Sequence, residues 1–219
     1  MKRTTMSKKS PELITLLDYL RIHRVIRSVL DSCQADTAHA CWYFSMAGAA
    51  ILRQHYRREA HPLAGAMCLM TDVEDSKVMC FATIEDGEAH SSPSAFHAMV
   101  ACDGCLIDFM SPIFPETAKS SHHAFTPPAK SFQRKFDTMN PFPMQLEQAG
   151  DFFFDPNPVL TDNLGRKVLE SRFLGDVIKG CCDWYRRPPK TIPLTITVGD
   201  EKGQMTTVKL KDVSVVGSW

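Results

Sequence analysis

Residues 96–110 read F-H-A-M-V-A-C-D-G-C-L-I-D-F-M. Asp-Gly between two apolar runs is a strong hairpin signal, because the two-residue turn that matches strand twist needs positive φ at both central positions. With Asp103-Gly104 as that turn, Cys102 faces Cys105, Met99 faces Asp108 and His97 faces Met110. Alternation then places His97, Met99, Ala101, Leu106, Asp108 and Met110 on one side of the ribbon. The other side, Ala98, Val100, Cys102, Cys105, Ile107 and Phe109, is apolar throughout. His97 and Asp108 are diagonal neighbours, roughly 7 Å apart at the backbone and within side-chain reach. A buried carboxylate without a partner is costly, so a ribbon that is apolar on both sides predicts that these two pair with each other.

Upstream, residues 41–52 read C-W-Y-F-S-M-A-G-A-A-I-L. This is a buried helix with a thiol in its first turn, expected to end near Arg58. The small residues Ala47 to Ala50 allow other elements to approach it closely. A helix N-terminus lowers a thiol's pKa, although a free cysteine can equally be inert packing. A thiol, an imidazole base and an orienting carboxylate form the set used in nucleophilic thiol catalysis. Cys41 would attack, His97 take its proton, and Asp108 fix the imidazole tautomer and stabilise the imidazolium. Without the thiol, the same histidine and aspartate read as a satisfied structural pair.

C-W-Y-F at a helix start resembles the nucleophile segment of papain-like and transglutaminase-like proteins. F-H-A-M-V-A-C-D-G-C-L-I-D-F-M-S-P is similar to their His-strand, turn and Asp-strand. The chain order Cys, His, Asp matches transglutaminases and arylamine N-acetyltransferases. The resemblance spans residues 32 to 113 and extends to an uncharacterised bacterial family of unknown function placed in that superfamily. It implies an α+β fold, with the nucleophile on a helix N-terminus packed against an antiparallel sheet. It also implies cysteine-dependent acyl transfer: hydrolysis of peptide or other amide bonds first, transglutaminase, deamidase or amine N-acyltransferase chemistry as the alternative. Papain-like enzymes place a glutamine shortly before the nucleophile as an oxyanion donor. Gln34 stands seven residues before Cys41, one more than their spacing, and with Trp42 is assigned to the oxyanion or substrate side. Transglutaminase-like proteins carry tryptophans near the histidine and before the aspartate, where this chain has Met99 and Cys105. That departure keeps a third reading open, a non-catalytic binding module on the same core.

The remaining pattern organises one domain, residues 1–219, with its catalytic core in 10–113. Ser10-Pro11-Glu12 reads as a helix start, and the helix runs to about residue 31. Residues 33–40 are a polar connection. Strands are expected at 63–70 and 77–84, a loop at 87–94, and the hairpin strands at 96–102 and 105–110. Residues 111–158, rich in proline, read as an irregular wrapping segment. A single helix is expected from about 160 to 185, and a second hairpin in the tail completes the 159–219 segment.

Lysine and arginine number 25 and balance 25 acidic residues, which argues against a nucleic-acid or membrane-surface partner. The partner expected is a peptide, protein or small acyl or amide substrate, with no cofactor and no metal. No apolar run follows the basic N-terminus and none approaches the ~20 residues of a membrane span, so a cytoplasmic protein is expected, with its eight cysteines mostly thiols. His39 reads as a loop or substrate-side residue, Asp86 and Glu88 as turn residues, and His122-His123 as a polar loop. Cys102-x-x-Cys105 resembles half of a zinc or redox site but has no second pair at partner spacing. Cys181-Cys182, adjacent on a helix, do not share one metal comfortably.

Overall fold

The computed structural model describes residues 13–74, 76–186, 191–199 and 204–219. The expected helix start at Ser10-Pro11-Glu12 lies outside them. Helix α1 (Leu16–Ser32) begins instead at Thr15, whose hydroxyl accepts the Asp18 N–H. A short 3-10 turn (Thr37–His39) leads into α2 (Cys41–Ile51), which widens into a π-turn (Leu52–Tyr56) and stops at Arg57, φ 55°. There follow β1 (Ala60–Asp72), β2 (Lys77–Phe81), β3 (Thr83–Glu85), β4 (Glu88–His90), β5 (His97–Cys102) and β6 (Cys105–Asp108). The second half holds α3 (Phe114–Ser120), β7 (Phe132–Lys135), β8 (Phe152–Pro156), α4 (Pro158–Glu170), α5 (Arg172–Trp184), β9 (Thr195–Gly199) and β10 (Met205–Lys209). Among the described residues no helix is long and apolar enough to cross a membrane.

The fold is α+β, with helices packed on a curled antiparallel sheet. Its strand order is β2-β1-β5-β6-β7, and β8 also pairs with β1. The β5–β6 hairpin has the register read from the turn: Cys102 faces Cys105, Ala101 faces Leu106 and Val100 faces Ile107. Asp103 and Gly104 take φ of 47° and 76°, the doubly positive turn that a right-twisted ribbon needs.

Three expectations are corrected. Residues 111–158 are not simply a wrapping segment: they supply α3 and two strands of the main sheet, β7 and β8. These strands are short and aromatic, so they carry too few residues to show a period. The single C-terminal helix is two, because Ser171 leaves helical geometry (ψ 107°) and caps α5 by accepting the Leu174 N–H. The expected loop at 87–94 contains β4, which pairs with β3 across Asp86-Gly87.

β1 organises the molecule. Met67 to Leu69 pair with β2 on one edge and β8 on the other, and Gly65 pairs with both His97 of β5 and Pro156 of β8. β2 and β5 therefore share one edge of β1 and part company between Gly65 and Met67. The end of β2, Phe81, and the start of β5, His97, meet at that split. The approach of β8 leaves no room at Gly65, where a Cβ would lie 2.1 Å from the Asp155 carbonyl oxygen.

Two large cores lie against the sheet, with a smaller cluster of Ala66, Cys68, Met70, Ala89 and Leu146 besides. One face carries Met67, Leu69, Met99, Phe132, Phe152 and Phe154. Against the other face, Ala64, Ala98, Val100, Ile107 and Phe109 pack on α1, α2 and α5. The small stretch in α2 serves the expected purpose: a Cβ on Gly48 would stand 2.3 Å from the Phe109 ring. Cys68 and Cys80 face each other in the β1–β2 register and are joined as a disulfide, while Cys33, Cys41, Cys102, Cys105, Cys181 and Cys182 are thiols.

Candidate active site

His97 and Asp108, eleven residues apart, meet as the hairpin register requires. His97 Nε2 donates to Asp108 Oδ2 at 2.8 Å. The other carboxylate oxygen accepts the Met110 N–H at 2.8 Å, so both oxygens are held. The Asp108 carbonyl accepts from the hydroxyls of Tyr19 and Ser111, which fixes the backbone beneath the carboxylate. The imidazole packs against Phe81 (centroids 4.4 Å apart) and edge-on against Phe114 (5.6 Å). His97 is 0% exposed and Asp108 1%.

Burial alone would drive the imidazole toward neutrality. The Asp108 carboxylate overrides it by charge and hydrogen bond, the Cys41 sulfur adds to the effect, and the pKa rises to about 10. Nδ1, the nitrogen Asp108 does not use, has no hydrogen-bond partner among the described residues. Catalytic hydrogen bonds in unliganded sites often tighten only when substrate binds.

Cys41 is the first residue of α2 and 6% exposed. Ala40, at the N-cap, offers no side-chain cap, so the first-turn N–H groups of α2 are left for another acceptor. Trp42 is buried in the helical core, and its indole N–H also lacks a partner among the described residues. Gln34 follows the C-cap of α1. It closes α1 in left-handed backbone (φ 55°), is exposed, and its N–H bonds the Asp31 carbonyl. A helix end, not a loop of papain-like spacing, occupies that part of the chain.

Burial pushes Cys102 up to about 11, Cys182 to about 11, Cys181 far up, and Cys105 up as well. His39 sits in an exposed chain, bonded through Nδ1 to Asp36 and through Nε2 to Ser121. A second buried histidine, His23, was not legible in the sequence, since it lies among the residues of a helix with ordinary amphipathic spacing. Its Nδ1 donates to the Phe109 carbonyl at 2.7 Å, and burial lowers its pKa to about 4.

The profile of the family described as "Protein of unknown function (DUF2026)" matches residues 15–219. The chain belongs to this family. A solved structure, "The crystal structure of genomics APC5867", is 34% identical, with a TM-score of 0.83, over 97% of this chain and all of that one. No curated protein matches the chain.

In this DUF2026 protein the site combines a base with one nitrogen anchored and the other without a hydrogen-bond partner among the described residues, a nearby thiol, and a helix start with no side-chain cap. Those are the parts that an attack on a carbonyl carbon requires.

Proposed function

We propose that the protein is a cysteine-dependent acyl-transfer enzyme on a papain-like or transglutaminase-like core, hydrolysing peptide or other amide bonds through Cys41, His97 and Asp108. One observation carries this reading: the imidazole bound to Asp108 through Nε2 leaves Nδ1 without a hydrogen-bond partner among the described residues, and Cys41, at an uncapped helix start, lies near enough to help hold the imidazole charged. An imidazolium beside a sulfur is the setting in which thiolates persist.

In the reaction, the proton given up by Cys41 is held on His97 Nδ1 while the sulfur attacks the acyl carbon, forming a C–S bond. The negative charge moves to the carbonyl oxygen, where the N–H groups of Cys41 and Trp42 in the first turn of α2 donate to it. When the carbonyl re-forms, the bond to nitrogen breaks and the leaving amine takes the Nδ1 proton. Water then loses a proton to Nδ1, adds to the thioester, and the acid departs as the sulfur recovers its proton. An amine in place of water gives acyl transfer by the same steps. Asp108 keeps the proton on Nε2 throughout.

Burial favours a second reading. A pair 0% and 1% exposed also suits a non-catalytic module in which His97 and Asp108 hold the hairpin. Limiting iodoacetamide separates the two. An enzyme labels Cys41 rapidly near neutral pH, ahead of Cys102, Cys105, Cys181 and Cys182, and His97→Gln slows that labelling at least tenfold. Cys41→Ser then abolishes acyl hydrolysis while leaving the fold intact. Labelling of Cys41 that is indifferent to His97→Gln, or full activity in Cys41→Ser, ends the enzyme reading.

A further inference from the structure

His97 is fully buried, and so is its Nδ1. A substrate carbonyl cannot come to a covered base until something over it moves. Two rings pack on the imidazole, Phe114 and Phe81. Phe114 is fully buried and starts a helix. Phe81 is half-buried and ends β2, an edge strand that pairs with β1 alone. The chain beyond it, β3 and β4, forms a separate two-stranded sheet with all of β3 exposed. Segments with few buried contacts at the end of an element open at the lowest cost, so Phe81 is the ring that can leave.

One covalent tie holds it in place. Cys80, the residue before Phe81, faces Cys68 of β1 and is joined to it. In the β1–β2 ladder only the pair of Met67 and Phe81 lies beyond this link, so with the link intact β2 cannot peel from β1 at that end. Alternation puts the sulfurs and the ring on opposite sides: Cys68 and Cys80 pack with Ala66 and Ala89, Phe81 with Met67 and His97. The six other cysteines are thiols. This is therefore one oxidised pair in a chain of thiols, not part of a disulfide framework. Cys68 is buried and Cys80 half-buried, which makes Cys80 the sulfur open to an incoming thiolate.

We infer that the Cys68–Cys80 pair is a redox latch: oxidised, it keeps Phe81 on His97 and the site closed; reduced, it lets the end of β2 lift and opens the site to substrate. The inference rests on the acyl-transfer reading above and names the regulation of that site. The reductant is a dithiol. One of its thiolates attacks Cys80 Sγ, the Cys68–Cys80 bond breaks, and the electron pair leaves on the Cys68 sulfur, which takes up a proton. The second thiolate attacks the reductant's own sulfur in the mixed disulfide, and the Cys80 sulfur leaves and is protonated. Two electrons and two protons pass to the protein, and the dithiol ends as a disulfide.

The test uses the full chain, oxidised with glutathione disulfide, mapped for the Cys68–Cys80 bond, and compared with the same protein reduced by dithiothreitol and desalted. Mass spectrometry follows amide hydrogen exchange over residues 78–96 and alkylation of Cys41 by excess iodoacetamide. Reduction should speed exchange around Phe81 at least tenfold and Cys41 alkylation at least fivefold. Cys80→Ser should match the reduced form without dithiothreitol. Oxidised Phe81→Ala should label Cys41 as fast as the reduced wild type, and its reduction should add less than twofold. A pair that stays thiol under glutathione disulfide overturns the latch, as does a wild type in which either rate is indifferent to reduction; neither result needs a variant to fold. A Phe81→Ala protein that responds to reduction as fully as the wild type overturns it too. Cys41 labelling that His97→Gln slows but reduction does not change overturns the latch alone. Both rates rising on reduction, with labelling indifferent to His97→Gln, supports the latch and overturns the acyl-transfer reading instead.

Discussion

His97 and His23 are both buried, at 0% and 1% exposure, and their partners are adjacent in the chain, Asp108 for one and the Phe109 carbonyl for the other. Yet their pKa values move in opposite directions, to about 10 and to about 4. Burial penalises the charged imidazole in both. At His97 a full negative charge sits at hydrogen-bond distance and outweighs that penalty. At His23 a neutral carbonyl dipole accepts one hydrogen bond and does not, and Arg27 lowers the pKa a little further. The lesson is that burial does not decide the charge of a histidine; the formal charge of its partner does. His97 keeps a proton despite its burial, whereas His23 stays neutral and packs against Phe44.

The largest expected effect comes from making the two alike. Asp108→Asn replaces the carboxylate by a neutral amide, so burial prevails and the His97 pKa falls toward that of His23. Turnover on any acyl substrate should drop roughly ten- to thousand-fold, less than the roughly 10⁴ of a serine triad, because a thiol ionises more readily than a hydroxyl. An unchanged rate of Cys41 alkylation across pH, together with unchanged turnover, would show that Asp108 has no orienting role.

Gly48→Ala acts on the His23 side. The added methyl meets the Phe109 ring, and overpacking of this kind costs about 1–3 kcal/mol. Calorimetry should show a lowered Tm; an unchanged Tm would mean that α2 and the hairpin separate without cost.

His23→Leu compares the two pH limbs. Between about pH 4 and 6.5 the unfolded chain binds a proton at His23 that the folded chain refuses, so stability falls as pH drops through that window. For His97 the sign is opposite. The folded chain keeps a proton that the unfolded chain loses above 6.5, so that contribution is complete below 6.5 and disappears as pH rises toward about 10. In urea midpoints measured from pH 4 to 10, His23→Leu should flatten the acid limb and leave the alkaline one, at a cost near neutrality of about 1–2 kcal/mol for the lost donor to Phe109. An acid limb that survives the substitution would assign it to other groups.

The smallest effect is expected of Tyr19→Phe. It removes one of two hydroxyls on the Asp108 carbonyl and leaves Ser111 in place, so a loss of about 1 kcal/mol is expected, with Cys41 alkylation altered less than twofold. A larger change in alkylation would mean that Tyr19 positions the carboxylate and does more than brace the backbone.

What the sequence determined by itself is local. Asp103-Gly104 dictates a turn, the turn sets the register, and two-residue alternation brings His97 and Asp108 to one side of the ribbon, all within fifteen residues. The small residues of α2 and the thiol at its start were legible for the same reason: helix period and composition are written in consecutive positions. What only the tertiary structure decided involves partners far apart in the chain. That Cys41 comes near His97 depends on α2 packing across β5. The split of β1's edge, which sets Phe81 against His97, and the opposition of Cys68 and Cys80 both follow from a register between strands that no turn signal specifies. β7 and β8 are recruited by the phenylalanines they add to the core around Met67 and Leu69, and α1 stops at Ser32, just before Gln34 turns left-handed. Pairings of this kind gain their free energy from burial shared among distant segments, so they leave no period in any one of them.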